Sequence, residues 1–487
     1  MENRTLFLTV SCIVACGLVV LWFLSAPAYG GPDPGETGSK PDTAIASPLA
    51  DAYVCPEGCQ YTSLQAAIDA VEPGATIKVG QGIYTDVHDR DGVTQVACIT
   101  KTLTILGGYS PADWSASDSA AHPTTLNAGG QGRVIYVSGD VEVTLKGLRI
   151  TGGDATGMPP GVVPGRGGGL YVYGATATIS DCTVFSNTSS RATGGYGGGL
   201  YLEQSDVTLR GNGISENSAA YGYTGRGGGL YAYGCQLELA HNTIFSNTAS
   251  AQGGGTCIVW SAAEMRGNAI SGNATTQSGS GGGLYLSYVD LALAANTISG
   301  NTAAWSGGGL MLEGGDTFDL VNNAVIDNEA NVFGSGIHVK AASARLSHTT
   351  LARNRGGDGS AVSLSSDTHG TGSSATATNS IIVSHTTGIT TYGGCSATLR
   401  ATLWHDNQTD WGGEVSAMGN HHGDPVFADD GYHITLRSAA IDRGIDDGVG
   451  VDIDGVGRPW ALGFDLGADE FPMKMVYMPR STRHPSP

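Results

Sequence analysis

The five-residue motif Gly-Gly-Gly-Leu-Tyr recurs through the middle of the chain. Full copies begin at Gly167, Gly197, Gly227 and Gly281, and altered copies begin at residues 253, 307 and 334. The copies therefore follow one another at intervals of 26 to 30 residues. Self-similarity at a period of 20–50 residues is typical of a stacked repeat, in which each copy buries its apolar face against its neighbours. Few folds other than a solenoid can accommodate this pattern.

Each repeat also contains fixed columns of apolar and asparagine residues. Segments such as Ala177-Thr178-Ile179 and Val207-Thr208-Leu209 alternate with the two-residue period of a half-buried strand. Two asparagine columns follow, the first at Asn212, Asn242, Asn268 and Asn296 and the second at Asn217, Asn247, Asn273 and Asn301. We expect the asparagines to adopt left-handed turns and to hydrogen-bond in ladders along the stack. The pattern predicts an all-β, single-stranded parallel β-helix with three short strands per turn, or rung.

Composition excludes several classes of protein. Glycine accounts for 76 of 487 residues but follows no three-residue period, which excludes collagen. The net charge of −20 argues against a nucleic-acid partner, because phosphate binding requires clustered Lys and Arg.

The N-terminus has the pattern of a secretion signal. An apolar run from Leu6 to Leu24 follows Arg4, and Ala26-Pro27-Ala28 fits a cleavage site with small residues. We therefore expect a signal peptide over residues 1–28, a flexible linker over 29–50 and a secreted or cell-surface protein. The alternative is an uncleaved membrane anchor, which would then be the chain's only contact with a membrane. One disulfide among Cys55, Cys59 and Cys98 is plausible in an oxidising compartment.

The region before the repeats contains a single predicted helix. Residues 61–71 form an amphipathic pattern that Ser63 can cap, with Leu64, Ala67, Ile68 and Val71 on one face. A helix at this point could cover the open edge of the first rung. After the repeats, residues 379–384 and 402–407 extend the register, with Ile381 and Trp404 pointing inward.

These columns resemble the right-handed parallel β-helix repeats of the pectate-lyase-like superfamily. Residues 63–84 are similar to the capping helix and first rung of its members, and the resemblance spans roughly residues 51–471. It implies an N-terminal cap with the first rungs over 51–141, regular repeats over 142–423 and C-terminal rungs with a cap over 424–471. The superfamily includes lyases, hydrolases and adhesins, so the resemblance is specific for the fold only.

The C-terminal region carries a second resemblance. Asp424-Pro425-Val426-Phe427, Asp452-Ile453-Asp454-Gly455 and the segment from Asp465 to Glu470 follow in the order seen in bacterial secreted β-helix proteins called choice-of-anchor Q. The resemblance implies an end-cap followed by a sorting tail. Residues 472–487 are short and basic and contain no recognisable anchor motif.

The motif's tyrosines are the first candidate binding residues. If the leucines point inward, the tyrosines point outward, and Tyr171, Tyr173, Tyr201, Tyr231 and Tyr233 form an exposed strip over three rungs. Exposed rings with hydroxyl groups suit the faces of sugars. Alternatively, the stacked rings only stabilise the sheet.

Basic and aromatic residues just before the glycine triplets are the second candidates. Arg166, Tyr196 and Arg226 precede the first three copies, and the long loops beside them contribute Arg191, Tyr221 and Tyr223. Three arginines in so acidic a chain could bind an anionic polysaccharide, although solvated loop arginines are the simpler reading.

The carboxylates indicate less. Glu238 and Glu264 share a column, as a paired-acid hydrolase would require, but Arg210 and Arg266 lie in the next column and can pair with them. Asp452 and Asp454 could hold Ca²⁺ but also fit turn chemistry. We expect no other cofactor. The sequence favours a non-catalytic structural or adhesive module that contacts a polysaccharide or cell-surface glycan. The alternative is a lyase or glycoside hydrolase acting on an acidic polysaccharide.

Overall fold

A computed structural model of the chain describes residues 49–90, 92–157, 165–192, 194–219, 222, 224–315 and 317–472. The predicted signal peptide (1–28), nearly all of the predicted linker (29–50) and nearly all of the basic tail (472–487) lie outside the described residues. Within the described residues, no helix has the length and apolar character needed to cross a membrane.

The helix lies where the sequence predicts it, with tighter limits. It runs from Leu64 to Ala70, and the Ser63 hydroxyl caps it by accepting from the Ala66 backbone N–H. The predicted apolar face is buried, with Leu64, Ala67, Ile68 and Val71 all between 0% and 3% exposed. These residues belong to the main core, so the helix packs against the first rungs.

Three parallel sheets run the length of the coil, and each rung contributes one strand to each sheet. The first sheet contains Leu49–Val54, Val71–Gly80, Leu103–Ser110, Glu142–Lys146, Thr176–Ser180, Asp206–Arg210, Gln236–Ala240, Ala262–Arg266, Asp290–Ala294, Thr317–Val321, Ser343–Ser347, Ser374–Thr378, Ser396–Arg400 and Val415–Met418, with Asp113–Ser117 paired antiparallel to Leu103–Ser110. The second contains Gly82–Tyr84, Thr124–Asn127, Leu148–Thr151, Thr183–Phe185, Gly213–Ser215, Thr243–Phe245, Ala269–Ser271, Thr297–Ser299, Ala324–Ile326, Thr350–Ala352, Ile381–Val383, Leu403–His405 and His421–His422.

The third sheet carries the leucine and tyrosine of the repeated motif. Its strands are His88–Arg90, Val93–Ile99, Arg133–Ser138, Leu170–Tyr173, Leu200–Glu203, Leu230–Tyr233, Thr256–Val259, Leu284–Ser287, Leu310–Glu313, Ile337–Lys340, Ser360–Ser365, Thr387–Thr391 and Thr409–Gly412, with His88–Arg90 paired antiparallel to Val93–Ile99. A fourth sheet of two-residue strands joins five middle rungs at Ser218–Ala219, Thr248–Ala249, Ala274–Thr275, Thr302–Ala303 and Glu329–Ala330. The predicted parallel β-helix with three main strands per rung is confirmed.

Both asparagine columns form hydrogen-bonded ladders inside the coil. Asn247, 0% exposed, shows the pattern. Its Nδ2 donates to the Ile214 carbonyl at 2.9 Å and to Asn273 Oδ1 at 3.0 Å. Its Oδ1 accepts from both the backbone N–H and the Nδ2 of Asn217 at 3.0 Å. Each amide thus satisfies backbone groups at the corners of the rungs, which burial would otherwise leave unpaired.

The expected left-handed conformation belongs to the residue before each asparagine, not to the asparagine itself. The eight predicted ladder asparagines all follow a residue with φ between 55° and 65°, namely Gly211, Glu216, His241, Ser246, Gly267, Gly272, Ala295 and Gly300. The turn is made by the preceding residue, which turns outward, so that the amide can point into the coil.

The register of the late rungs differs by one residue from the prediction. Ile382, not Ile381, pairs with Leu351 and lies in the main core beside Trp404. The reason is that Ser380 occupies the asparagine column, where its hydroxyl accepts from the Thr349 N–H at 3.3 Å. Asn379 takes the preceding left-handed position, with φ of 50°. Ile381 therefore faces away from the coil's core.

The C-terminal segment, residues 424–472, packs against the flank of the coil. Ile434, Ala440 and Leu466 form a second apolar cluster with outward-facing residues of the second sheet, among them Ile381 and Leu403. Hydrogen bonds reinforce this contact: the Asn322 Nδ2 donates to the Val451 carbonyl at 2.7 Å, and the Ala468 N–H donates to Thr350 Oγ1 at 2.9 Å. The segment expected to close the end of the coil thus lies along several rungs instead.

The cysteines follow the prediction in part. Cys55 and Cys59 form a disulfide, so the bond falls within the predicted set. Cys182, Cys235, Cys257 and Cys395 are buried thiols, at most 5% exposed, which pack as small apolar groups.

Candidate functional site

The outward-facing tyrosines form a buried aromatic column on the third sheet. Tyr171, Tyr201 and Tyr231 point away from the main core, as expected, but are only 7%, 3% and 5% exposed. Together with Cys257, Tyr285 and Met311 they form a separate apolar cluster, flanked by Tyr136, Tyr196 and Val259. Burial raises the pKa of all three tyrosines.

Ring packing between rungs explains this burial. Tyr201 stacks on Tyr231 with centroids 5.3 Å apart and meets Tyr171 edge-on at 4.9 Å. The loop residue Tyr196 covers Tyr231 with a ring separation of 5.1 Å. The rung spacing of about 4.8 Å matches the distance at which aromatic rings pack, so the rings cover one another. The predicted exposed strip is wrong for these three residues; only Tyr173 and Tyr233, at 42% and 40%, are exposed.

Charged groups cover the first part of this column. The Arg166 Nη1 donates to Glu203 Oε2 at 2.6 Å, and the Tyr171 hydroxyl donates to the same oxygen at 2.5 Å. The Arg166 guanidinium also lies 5.0 Å from the centre of the Tyr201 ring, at cation–π distance. Arg166 is therefore neutralised and fixed, and Glu203 forms part of the same cluster.

Arg133 lies beneath this cluster and was not among the predicted site residues. It is 1% exposed, and its Nη2 donates to the Arg166 carbonyl at 2.8 Å. Its guanidinium lies 5.0 Å from the Tyr171 ring centre. Burial lowers the pKa of Arg133 to about 10. Arg133 lies in the rung before the first full motif, so the repeat pattern contained no signal for it.

Arg226 differs from the other two predicted arginines because it hydrogen-bonds Tyr231 and has no acidic partner among the described residues. Arg191 donates to Asp154 at 2.7 Å, and Arg166 is paired with Glu203. Arg226 takes part in none of the ion pairs found among the described residues, and its Nε is buried without a hydrogen-bond partner there. It lies beside Tyr231, whose pKa its positive charge lowers against the larger effect of burial. Tyr221 and Tyr223 lie outside the described residues.

These residues line one hollow on the outer face of the third sheet, which we call the arginine–tyrosine hollow. It encloses about 320 Å³ and is lined by Arg166, Tyr196, Tyr201, Glu203, Arg226, Tyr231 and Tyr233. Six of the eight predicted ligand residues are thus brought together. Tyr171 lies beneath Glu203, and Tyr173 is exposed beside it but does not line the hollow.

A second hollow of about 350 Å³ lies farther along the same face, and none of its lining residues is among the predicted site residues. Its polar lining includes Tyr285, Glu313, His338, Lys340 and Ser365. Glu313 accepts from the Tyr285 hydroxyl and, at 2.8 Å, from Lys340 Nζ. His338 lies 2.9 Å from Ser365 Oγ, and burial lowers its pKa to about 4. The degraded motif copies in these rungs concealed the cluster, although Glu313 shares the column of Glu203.

The acidic candidates outside the third sheet serve other roles. Glu238 and Glu264 line a hollow on the first sheet's side, but Glu238 pairs with Arg210 at 2.6 Å. Asp452 Oδ1 accepts from the N–H groups of Asp454 and Val456, and its Oδ2 accepts from the Glu470 N–H. Backbone N–H groups therefore engage both oxygens of Asp452. Asp454 lies 2.7 Å from His433 Nε2, so the two predicted Ca²⁺ ligands have different partners.

A family model described as the right handed beta helix region matches residues 124–275 and again residues 250–403. None of the curated proteins is significantly similar to this chain in sequence. The fold is similar to that of the periplasmic alginate epimerase AlgG, with 13% identity over 77% of this chain and 84% of that one and a TM-score of 0.36. Pectate lyase Pel9A is 12% identical over 87% and 97%, with a TM-score of 0.34.

The A-module of the Azotobacter vinelandii mannuronan C-5 epimerase AlgE6 is 16% identical over 74% of this chain and 94% of that one, with a TM-score of 0.35. Similarities at this level carry no information on activity.

Proposed function

This chain belongs to the right handed beta helix family, and we propose that its third sheet is a binding face. In this proposal the protein is exported, is not catalytic and holds an anionic polysaccharide. The observation that carries this proposal is the arginine–tyrosine hollow. It combines aromatic side chains with Arg226, a cation without an acidic partner among the described residues. The fold supplies the flat face, and the first three motif copies supply the side chains.

The hollow suits a sugar that carries a carboxylate or a sulfate. The Arg226 guanidinium can pair with such a group through charge-assisted hydrogen bonds, which are stronger than neutral ones. Tyr233, 40% exposed, presents a ring edge and a hydroxyl for contact with the sugar ring. The buried rings of Tyr201 and Tyr231 form a firm base that excludes water from beneath the ligand.

A fixed carboxylate in the hollow supports the binding role. Glu203 accepts from both Arg166 and Tyr171, and these two hydrogen bonds hold its side chain in place. Glu203 thus acts in this proposal as a fixed acceptor for sugar hydroxyls.

Export is part of the proposal. It is supported by the signal-like pattern of residues 1–28 and by the Cys55–Cys59 disulfide, since disulfides persist in oxidising compartments. Attachment to a cell surface through a choice-of-anchor-like C-terminus remains a prediction from sequence resemblance.

Affinity electrophoresis in gels containing polygalacturonate, alginate or chondroitin sulfate tests the proposal, with a gel that contains no polysaccharide as the comparison. We expect at least one anionic gel to retard the protein, and Arg226→Gln to weaken that retention about tenfold, because a hydrogen bond to a charged group contributes about 1.5–3 kcal/mol. Arg266→Gln, an exposed arginine on the first sheet, removes the same charge elsewhere and is the matched control. Equal losses in both variants, or no retention in any anionic gel, would refute binding at this hollow.

The second hollow favours the alternative, a polysaccharide lyase or hydrolase. There, a neutral His338 lies near Tyr285, Glu313 and Lys340, a set of groups able to move protons. Incubation with the same anionic polysaccharides and Ca²⁺ distinguishes the two functions. Unsaturated products that absorb in the ultraviolet would identify a lyase, and new reducing ends without that absorbance would identify a hydrolase. The binding proposal predicts neither product.

A further inference from the structure

A turn that follows the third sheet holds aromatic residues where glycine is normally favoured. In seven successive rungs this position is Gly174, Gln204, Gly234, Trp260, Tyr288, Gly314 and Ala341, and all seven have φ between 49° and 64°. Side chains with a Cβ are disfavoured in this left-handed region, and bulky ones most of all. Trp260 and Tyr288 thus occupy positions where the backbone itself favours glycine.

Burial does not compensate for this unfavourable conformation. Trp260 is 57% exposed and Tyr288 is 47% exposed, and neither belongs to an apolar core. Their rings stack on each other with centroids 4.2 Å apart and planes 4° from parallel. A residue that breaks a local rule without burial in a core is characteristic of a functional site.

The stacked pair covers the next rung and borders a hollow. A Cβ built at Gly314 would lie 2.7 Å from the Tyr288 ring, so that ring covers Gly314. The hollow beside the pair is lined by Trp260, Tyr288, Val289, Asp290, Gly315 and Thr317.

We propose that Trp260 and Tyr288 form a second carbohydrate site, in which the hollow beside the pair holds a pyranose ring of an uncharged polysaccharide. An apolar aromatic face complements the C–H face of a sugar, while polar groups at its edge bind hydroxyls. The exposed Asp290 and Thr317, which line the hollow beside the pair, supply a carboxylate and a hydroxyl for this purpose. The Asp290 carboxylate would repel a uronate or a sulfate, so the expected ligand is neutral.

This site differs from the arginine–tyrosine hollow in place and in the charge it selects. Trp260 lies in the turn between the third and first sheets, whereas Arg226 and Tyr233 lie on the third sheet's outer face. The proposal therefore does not depend on anionic binding at the hollow.

The experiment replaces each aromatic residue by the glycine found at equivalent rungs. Trp260→Gly and Tyr288→Gly are compared with wild type by affinity electrophoresis in hydroxyethylcellulose, xylan, galactomannan and laminarin, and by thermal unfolding. Gln204→Gly changes the same turn position in an earlier rung and is the control. We expect retention by at least one neutral polysaccharide, a loss of at least tenfold in Trp260→Gly and a smaller loss in Tyr288→Gly.

Thermal unfolding separates binding from a structural role. If the pair serves binding, both glycine variants keep or raise the melting temperature, because they relieve the unfavourable turn conformation. A melting temperature that falls in both variants, retention that survives Trp260→Gly, or no retention by any of the four polysaccharides would each overturn the proposal. Loss of polygalacturonate retention in Arg226→Gln concerns the other site and leaves this result unaffected.

Discussion

The asparagine columns inside the coil and the aromatic column on the outer face of the third sheet follow the same repeat but differ in regularity. Each ladder asparagine passes a hydrogen bond to the asparagine of the next rung, as Asn212 does to Asn242 and Asn242 to Asn268. The outer column changes from tyrosine to cysteine, methionine and histidine along the coil. Buried backbone groups need the same partner in every rung, whereas the outer face carries no such requirement.

The difference shows where function is best sought on a repeat protein. Regular columns report on packing, and this includes Tyr171, Tyr201 and Tyr231, which cover one another. The candidate ligand groups lie where the pattern is interrupted: at Arg226 between Tyr196 and Gln252, and at Trp260, which takes the turn position held by Gly234 in the preceding rung. Equivalent substitutions should therefore have opposite effects: they should lower stability in the regular columns and weaken binding where the pattern is interrupted.

The largest effect is expected inside the coil. Asn247→Ala removes the partners of the Ile214 carbonyl and of the Asn217 N–H, both within the buried ladder. Each buried polar group left unpaired costs about 1–3 kcal/mol, so we expect the free energy of unfolding in urea to fall by about 4 kcal/mol. Asn331→Ala is the control, since Asn331 is exposed and should change stability little. Equal losses of unfolding free energy in the two variants would mean that a ladder asparagine contributes no more to stability than an exposed one.

The next largest effect separates buried from exposed tyrosines. Tyr201→Ala empties a site that is 3% exposed, and large-to-small changes of this kind cost about 3 kcal/mol or more. Tyr233→Ala, at 40% exposure, should change the free energy of unfolding by less than about 0.5 kcal/mol while weakening retention in anionic gels. Urea unfolding and affinity electrophoresis on the same two variants measure both quantities. If Tyr233→Ala proved as destabilising as Tyr201→Ala, the column would be structural throughout.

Most of the fold could be predicted because each rung repeats the same physical requirements. The alternation in Val207-Thr208-Leu209, the asparagine columns and the cap at Ser63 all depend on local rules that the sequence records directly. The predicted register is wrong where a different residue takes the place of the repeated one in a column. Because Ser380 replaces an asparagine in the column, the predicted register is wrong by one residue there. The prediction assigns Ile381 to the interior of the coil, whereas Ile381 packs in the outer apolar cluster.

The candidate site could be predicted less well, since exposure depends on neighbours in space. Pointing outward from a sheet does not make a tyrosine accessible when Tyr196 and the adjacent rungs cover it. Pairing of Arg166 with Glu203 links two different rungs and could be seen only once the register was known. The side-on packing of residues 424–472 depends on contacts such as Asn322 with Val451, for which the sequence contains no periodic signal.

An effect of intermediate size on stability is expected at low pH, at a position where histidine replaces an asparagine of the ladder. His385 takes an asparagine position between Asn354 and Asn407, and burial lowers its pKa to about 3. The unfolded value is about 6.5, so the neutral form stabilises the fold, and this stability is lost as pH falls from about 6.5 toward 3. His385→Asn should therefore reduce the loss of unfolding free energy between pH 7 and pH 4.5 by about 2 kcal/mol.

Urea unfolding at the two pH values measures this difference. The buried His338 has a pKa lowered to about 4 and contributes in the same direction, so some acid sensitivity should remain in His385→Asn. His369→Asn serves as the control because its side chain is 86% exposed. An unchanged pH dependence in His385→Asn would mean that His385 is protonated in the folded protein.

The smallest effect is expected on the outer face of the first sheet. Arg210 and Glu238 form an ion pair of 2.6 Å between neighbouring rungs, with side chains 56% and 44% exposed. Exposed pairs contribute about 0–1 kcal/mol, because water and salt screen the charges. Arg210→Gln should thus lower the free energy of unfolding by less than about 0.5 kcal/mol, and less at 1 M than at 0.1 M salt. Arg166 pairs with Glu203, which also accepts from Tyr171 and lies in a less exposed site. Arg166→Gln should therefore lower the free energy of unfolding by more than Arg210→Gln, with a weaker dependence on salt. If the two variants behaved alike, the third sheet's outer face would be an ordinary solvated surface, and the case for a preorganised hollow would fail.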